Sequence, residues 1–309
     1  MSNPVYIPYQ KVDLPELRQQ NLQLVVKRLD KVHPEIQGNK WFKLKYNIEE
    51  ALKLNHRRVL TFGGAYSNHI HATAAAARQA GLSSIGIIRG EETLPLNPTL
   101  VDAKAAGMKL HYVSRTAYRE KTSPEFIESL KTTYGSFYLI PEGGTNALAV
   151  EGTKEILEGG DFDYDLITTA IGTGGTMVGL LASARPSQTV LGFSALKGNF
   201  VNQEIQSLLE KFQIKPVCKY QIINDYHLGG YGKHKLELVE FINDFKHKTG
   251  IPLEPLYTGK MILGLLDMVK KEMIPEGSRI LTLHTGGLQG IRGFNLRNDA
   301  GLDEGTTKG

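Results

Sequence analysis

Cysteine is nearly absent from this 309-residue chain, with Cys218 standing alone. No intramolecular disulfide and no cysteine-based zinc cluster can therefore form, and Cys218 reads as a small apolar filler. No stretch approaches the roughly 18 consecutive apolar residues of a membrane span. The opening MSNPVYIPYQK also lacks the apolar core of a secretory leader. These absences lead us to expect a cytoplasmic protein with no membrane partner. Charge of one sign is not in excess either, since 36 basic and 32 acidic residues leave a net +4. The densest basic cluster is Lys233, His234 and Lys235, followed by Lys246, His247 and Lys248, and it reads as the solvated face of a helix. A nucleic-acid binder wants a concentrated basic stripe with interleaved aromatics, so no nucleic acid is expected. His69 and His71 lie two apart and would not share a helix face, which argues against a metal pair. A small anionic ligand remains compatible with all of this.

Apolar residues make up 41% of the chain and charged residues 22%, enough apolar material for a substantial core. Short apolar runs recur, most of them ending in glycine. They are 58–64 (RVLTFGG), 84–90 (SIGIIRG), 109–114 (KLHYVS), 136–144 (SFYLIPEGG), 166–172 (LITTAIG), 190–195 (VLGFSA) and 279–283 (RILTL). Continuous runs of this kind suit strands buried on both faces of a parallel sheet. Helical patterns lie between them, at 68–80, 147–157, 176–184, 202–212, 236–248 and 260–271. The alternation predicts an α/β fold with mainly parallel sheets flanked by helices. The polar, glycine-rich tail from Asn298 is expected to fray. Ligands of such folds bind in the loops at the carboxyl ends of strands, where the glycines here fall.

Four sets of residues could carry chemistry. Gly172-Thr173-Gly174-Gly175-Thr176 follows a buried run and precedes an apolar helix. Convergent N–H groups, hydroxyls and a helix N-terminus there suit a phosphate, although a tight strand-to-helix turn would look similar. It is neither a Walker loop nor GxGxxG. In the second set, Lys40 follows Gly38 beside Trp41 and Phe42. A desolvated lysine loses proton affinity, as Schiff-base chemistry requires, but a solvated surface lysine is the commoner case. In the third, Gly63 to His69 closes a run and opens a helix, so Ser67 or Asn68 is either an N-cap or part of a carboxylate-docking turn. The fourth set pairs Tyr257-Thr258-Gly259-Lys260 with His284-Thr285-Gly286-Gly287, each a run or loop end with a hydroxyl beside glycine.

Taken in order, GNKWFKL, FGGAYSNH, GTGGT, LYTGK and LHTGG resemble the D-cysteine desulfhydrase and 1-aminocyclopropane-1-carboxylate (ACC) deaminase family. These are pyridoxal-phosphate enzymes of fold type II, similar to the tryptophan synthase β-subunit. The resemblance implies pyridoxal 5'-phosphate as cofactor, with Lys40 as its Schiff-base lysine and Lys43 near the phosphate. It implies Thr173, Gly174, Gly175 and Thr176 as the phosphate loop and Asn68 as partner of the cofactor's phenolic oxygen. Ser67 would meet the substrate carboxylate, while Tyr231 and Tyr257 would be active-site tyrosines. Thr258, where ACC deaminases of the family carry glutamate, would face the pyridine nitrogen, with Thr285 a second hydroxyl for the same atom. Threonine at 258 looks like the desulfhydrase pattern. Gln37 and the Trp41-Phe42 pair depart from the family pattern.

The resemblance further implies a smaller α/β domain over 45–155, a larger cofactor-binding domain from 1–44 plus 156–309, and a homodimer. The expected reaction is β-elimination from D-cysteine, giving pyruvate, ammonia and sulfide. ACC ring opening to 2-oxobutyrate is the alternative, and a non-catalytic small-anion-binding protein is a more distant one.

Overall fold

Each long apolar run becomes a strand of one of two separate sheets. The computed structural model of the chain describes residues 6–230 and 232–304. Among them the strands are β1 (Tyr9–Val12), β2 (Gln23–Lys27), β3 (Arg58–Gly64), β4 (Ser83–Arg89), β5 (Met108–Val113) and β6 (Tyr138–Ile140). The series continues with β7 (Leu166–Ile171), β8 (Thr189–Ser194), β9 (Lys219–Ile223) and β10 (Arg279–Leu283). The larger sheet has the order β1-β2-β10-β7-β8-β9, and the smaller the order β5-β4-β3-β6. All pairings are parallel except β1 with β2. The protein is thus an α/β protein with two parallel-dominated sheets flanked by helices.

Central strands are the most apolar ones, because both faces are covered. Every residue of β7 is buried, and the Thr168 hydroxyl donates to Thr282 Oγ1 of β10 at 2.8 Å. β10 runs between β2 and β7, with Ile280 level with Leu24 on one side and Leu166 on the other. In the smaller sheet β3 is central, with Leu60 level with Ile85 and Leu139.

Helix starts are set by local capping. Ser67 accepts from the Ile70 N–H to open Asn68–Gln79, and Asn146 accepts from the Ala149 N–H at 2.9 Å to open Ala147–Lys154. Two glycines then let three helices touch backbone to backbone. A β-carbon at Gly152 would collide with the Phe42 carbonyl of the Asn39–Lys53 helix. One at Gly179, in the Gly175–Ser183 helix, would collide with the Thr153 hydroxyl. These contacts fix the two helices that open beside the GNK and GTGGT motifs.

Several expectations need correction. Residues 136–144 are not one strand. β6 stops at Ile140, because Pro141 has no N–H to continue the ladder, and Gly143 and Gly144 turn the chain at φ of +65° and +69°. The GNKWFKL motif is helical from Asn39 onward. The tail does not fray at Asn298. Leu302 is buried, and Asn295 bonds both its N–H and its carbonyl, at 3.1 and 2.8 Å. Cys218 is buried and unpaired, as a filler would be. No helix among the described residues is long and apolar enough to cross a membrane.

The close helix crossing makes a signed prediction. Gly→Ala inside a helix ordinarily stabilises by about 1 kcal/mol. Gly152→Ala should instead destabilise by roughly 1–3 kcal/mol, because a backbone oxygen cannot move aside as a side chain can. Urea unfolding of the two proteins measures this, and a stabilised variant would contradict the packing.

Candidate active site

The carboxyl ends of β3, β7 and β10 open onto one cavity of about 830 Å³, shared between the two sheets. Lys40 enters it from the first turn of the Asn39–Lys53 helix. Gly38 makes that geometry possible. It sits at φ +64°, in the left-handed region, and a side chain there would collide with the Thr285 carbonyl. Asn39 Nδ2 donates to Thr176 Oγ1 at 2.8 Å, and Lys40 Nζ donates to Asn39 Oδ1 at 2.9 Å. The lysine is therefore tied through one side chain to the glycine-threonine loop.

Lys43 lies one turn further on the same helix face. Its Nζ donates to the Gly143 carbonyl at 2.9 Å, Thr145 Oγ1 at 3.1 Å and Thr173 Oγ1 at 3.2 Å. All three acceptors are neutral. Desolvation pushes the Lys40 ammonium down to about 8, although the Glu254 carboxylate pulls the other way. Desolvation, and then repulsion by Lys40, holds Lys43 well below the usual lysine range. Among the described residues, no carboxylate hydrogen-bonds to either lysine.

The loop after β7 faces this pair. Gly174, left-handed at φ +79°, turns the chain into the Gly175–Ser183 helix, whose first N–H groups lack intrahelical partners. Gly143 is packed so closely on Thr173 that a β-carbon there would lie 2.5 Å from its methyl. At Gly175 a β-carbon would lie 3.1 Å from Lys43 Nζ. Two ammonium groups short of negative charge, hydroxyls and a helix N-terminus share one wall, an arrangement that fits a phosphate dianion.

Asn68, at the exit of β3, accepts from Gln289 Nε2 at 2.8 Å, and its Nδ2 crowds Gly287. Ser67 and Tyr66 line the same wall. His69, the last residue of the FGGAYSNH motif, is also on the wall and buried. Its Nε2 meets Thr61 Oγ1 at 2.8 Å. Burial, and then the charges of Lys40 and Lys43, hold it well below the ordinary histidine range, so it is neutral.

Tyr257 and Thr285 line the cavity, and the Tyr257 ring lies against Gly172. Thr258 does not line it. Its hydroxyl lies 3.0 Å from the Glu254 N–H and 3.2 Å from Glu254 Oε1, as the first residue of the Thr258–Lys270 helix. Glu254 is the reason. This buried carboxylate accepts from the N–H groups of Leu256, Tyr257 and Thr258 at 2.6–2.8 Å and so caps the helix. Burial pushes its proton affinity up, and the three N–H bonds oppose that. Gly175 lies behind the wall, against Lys43, and the expectation for Tyr231 falls outside the described residues. Lys260, of the fourth set, is not among the residues that line the cavity. It is buried, and its Nζ donates to the His227 and Gly230 carbonyls at 2.8 and 2.9 Å, fastening the loop that precedes Tyr231. Lys233, expected on a solvated helix face, stands before the Leu236–Thr249 helix and lines the cavity.

A desolvated lysine one turn from a phosphate-fitting wall, at the strand ends of two parallel sheets, defines an enzyme of the pyridoxal-phosphate class with fold type II. Comparison with known proteins agrees. The model of the pyridoxal-phosphate dependent enzyme family matches residues 4–286. A Pyrococcus abyssi protein, provisionally named a 1-aminocyclopropane-1-carboxylate deaminase, is 32% identical over 89% of this chain and 87% of its own. The mitochondrial bifunctional D-cysteine desulfhydrase/1-aminocyclopropane-1-carboxylate deaminase of Arabidopsis thaliana is 31% identical over 92% of this chain and 77% of its own. The crystal structure of an ACC deaminase homologue superposes with a TM-score of 0.79 at 30% identity, covering 95% of this chain and 93% of that one. The chain belongs to the pyridoxal-phosphate dependent enzymes, in the ACC deaminase and D-cysteine desulfhydrase family.

The environment of Lys40 makes a direct prediction. In cofactor-free protein carrying ¹³C-methylated lysines, the Lys40 resonance should titrate near pH 8, becoming neutral above it, while surface lysines titrate near 10.5. Assignment by comparison with Lys40→Ala identifies the signal. A Lys40 midpoint at the ordinary value would mean that the amine is solvated.

Proposed function

We propose that this protein is a deaminating lyase that eliminates the β-substituent of a small amino acid, D-cysteine being the first substrate to test. The observation that carries the reading is the lack of a free carboxylate on the described cavity wall. Its only acids are Glu35, bonded to Arg78, and Glu142, bonded to Tyr118 and facing Lys121. Glu254 is spent on the helix cap, and position 258, where the family's ACC deaminases carry glutamate, is a threonine turned away. Thr285 then offers the pyridine nitrogen a hydroxyl, which does not hold it protonated as a carboxylate would.

When bound, pyridoxal phosphate supplies the electron sink for the negative charge left at Cα. A sink with an unprotonated nitrogen is weaker. Elimination tolerates that, because the charge departs with the leaving thiolate. Opening an unactivated cyclopropane keeps the charge on carbon and suffers more. Lys40 and Asn68 would hold the cofactor ring, and Lys43 with Thr173, Gly174 and Thr176 its phosphate. The N–H groups and hydroxyl around Ser67 would orient the substrate carboxylate. A neutral Lys40 amine can take the Cα proton, a step worth ~10²–10⁴-fold, and Ser67, Tyr231 and Tyr257 are the other candidates for it. Residues 45–155 contain the whole smaller sheet, which supports treating them as the smaller domain. A homodimer in the cytoplasm completes the proposal.

ACC ring opening is the competing reading, favoured by the names of the relatives. The purified holoenzyme distinguishes the two. D-cysteine should yield sulfide and pyruvate in equal amounts, at least about tenfold faster than ACC yields 2-oxobutyrate. Lys40→Ala should lower the rate by at least ~10²-fold. Turnover of ACC alone would replace the elimination reading.

A further inference from the structure

The cationic mouth of the cavity is not used by the chemistry above. Six of the lining side chains are lysine or arginine and only two are glutamate. Lys40 and Lys43 belong to the cofactor wall. Both glutamates are already engaged, Glu35 by Arg78 at 2.5 and 2.6 Å, and Glu142 by the Tyr118 hydroxyl at 2.9 Å and Lys121 at 3.5 Å. Arg89, Arg115, Arg297 and Lys233 remain. Among the described residues none of the four is paired with a carboxylate.

Three of them surround the turn that leaves β3. Arg89 ends β4, level with Gly64, and a β-carbon on Gly64 would lie 3.5 Å from its guanidinium. Arg115 opens the short helix that follows β5, the next strand over. The Arg297 guanidinium sits 5.6 Å from the Tyr66 ring centroid. Lys233 reaches the cavity from the larger sheet's side. A neutral zwitterion such as cysteine or ACC gains little from such a field, because attraction to its carboxylate is offset by repulsion of its ammonium. A ligand with net negative charge gains at every step of its approach. Arginine also matches carboxylate, sulfonate and phosphate groups in a two-point fashion.

We propose that the preferred substrate is a β-substituted alanine whose substituent carries a second anionic group, met by Arg89, Arg115, Arg297 and Lys233. This rests on the lyase reading and narrows its substrate class. In the reaction the Cα–H and Cβ–substituent bonds break, and the substituent departs with the bonding electron pair. Water then hydrolyses the released 2-aminoacrylate to pyruvate and ammonium. No oxidant or reductant is required.

The test uses the holoenzyme with both enantiomers of O-phosphoserine, cysteate and S-carboxymethylcysteine, compared with cysteine, at low and high salt. The three substituents separate phosphate, sulfonate and carboxylate. Binding of unreactive 2-amino-3-phosphonopropionate is measured alongside by calorimetry. At least one anionic substrate should exceed cysteine about tenfold in kcat/KM, and the advantage should shrink with salt. Arg115→Gln and Arg297→Gln should raise KM for that substrate about tenfold with little change in kcat, drive the anionic-to-neutral ratio toward one, and weaken phosphonate binding in parallel. A preference for cysteine or ACC at every salt, or variants that depress neutral and anionic substrates alike, would overturn the proposal. Arginine-dependent phosphonate binding without elimination of any amino acid would keep the anionic ligand class and remove the lyase reading.

Discussion

Two ammonium groups stand one helical turn apart on a desolvated wall, and among the described residues no carboxylate hydrogen-bonds to either. Like charges ~4–8 Å apart at an effective dielectric of about 20 repel by ~2–4 kcal/mol, on top of the cost of taking each out of water. Lys40 and Lys43 respond by losing proton affinity, and backbone and hydroxyl oxygens rather than acids hold them in place. Such an arrangement invites an anion. The same desolvation that makes the pair costly makes Lys40 a nucleophilic amine near neutral pH, so anion binding and amine chemistry share one physical cause.

Much of the fold serves to hold that pair rigid. Gly38 lets the helix begin under the Thr285 carbonyl, Gly152 lets it cross its neighbour without a side chain between them, and Asn39 ties it to Thr176. Both sheets contribute a strand end to the wall. Glu254 plays a quieter part. It caps the Thr258–Lys270 helix, fixes the backbone around Tyr257, and exerts a favourable long-range pull on Lys40.

The central strands were legible because burial on both faces leaves an uninterrupted apolar run. β3 and β10 begin and end where their runs do. β1, β2 and β9 were not. β1 and β9 expose one or both faces, and β2 ends in Lys27, a buried charge whose partners Asp161 and Glu158 lie more than a hundred residues away. The helix carrying Lys40 was obscured in the same way, because Lys43 sits inside the apolar face marked by Phe42, Leu44 and Ile48. The ordered motifs marked glycines and threonines that the fold brings to one cavity wall. They did not announce the partner of Thr258, whose hydroxyl meets a carboxylate four residues earlier that no spacing rule marks. The contacts of His69 and Lys260, and the arginine mouth, were not legible because each forms only when distant segments meet.

The central claim is that the buried lysine pair is incomplete without a phosphate. Calorimetric titration of the cofactor-free protein with pyridoxal 5'-phosphate and then with pyridoxal, which has the same aldehyde and ring but no phosphate, isolates that contribution. Affinity for the phosphorylated form at least about a hundredfold greater, with most of the difference lost in Lys43→Met, is the result expected for charge-assisted bonds to a desolvated anion. Equal affinity for the two compounds would contradict the account.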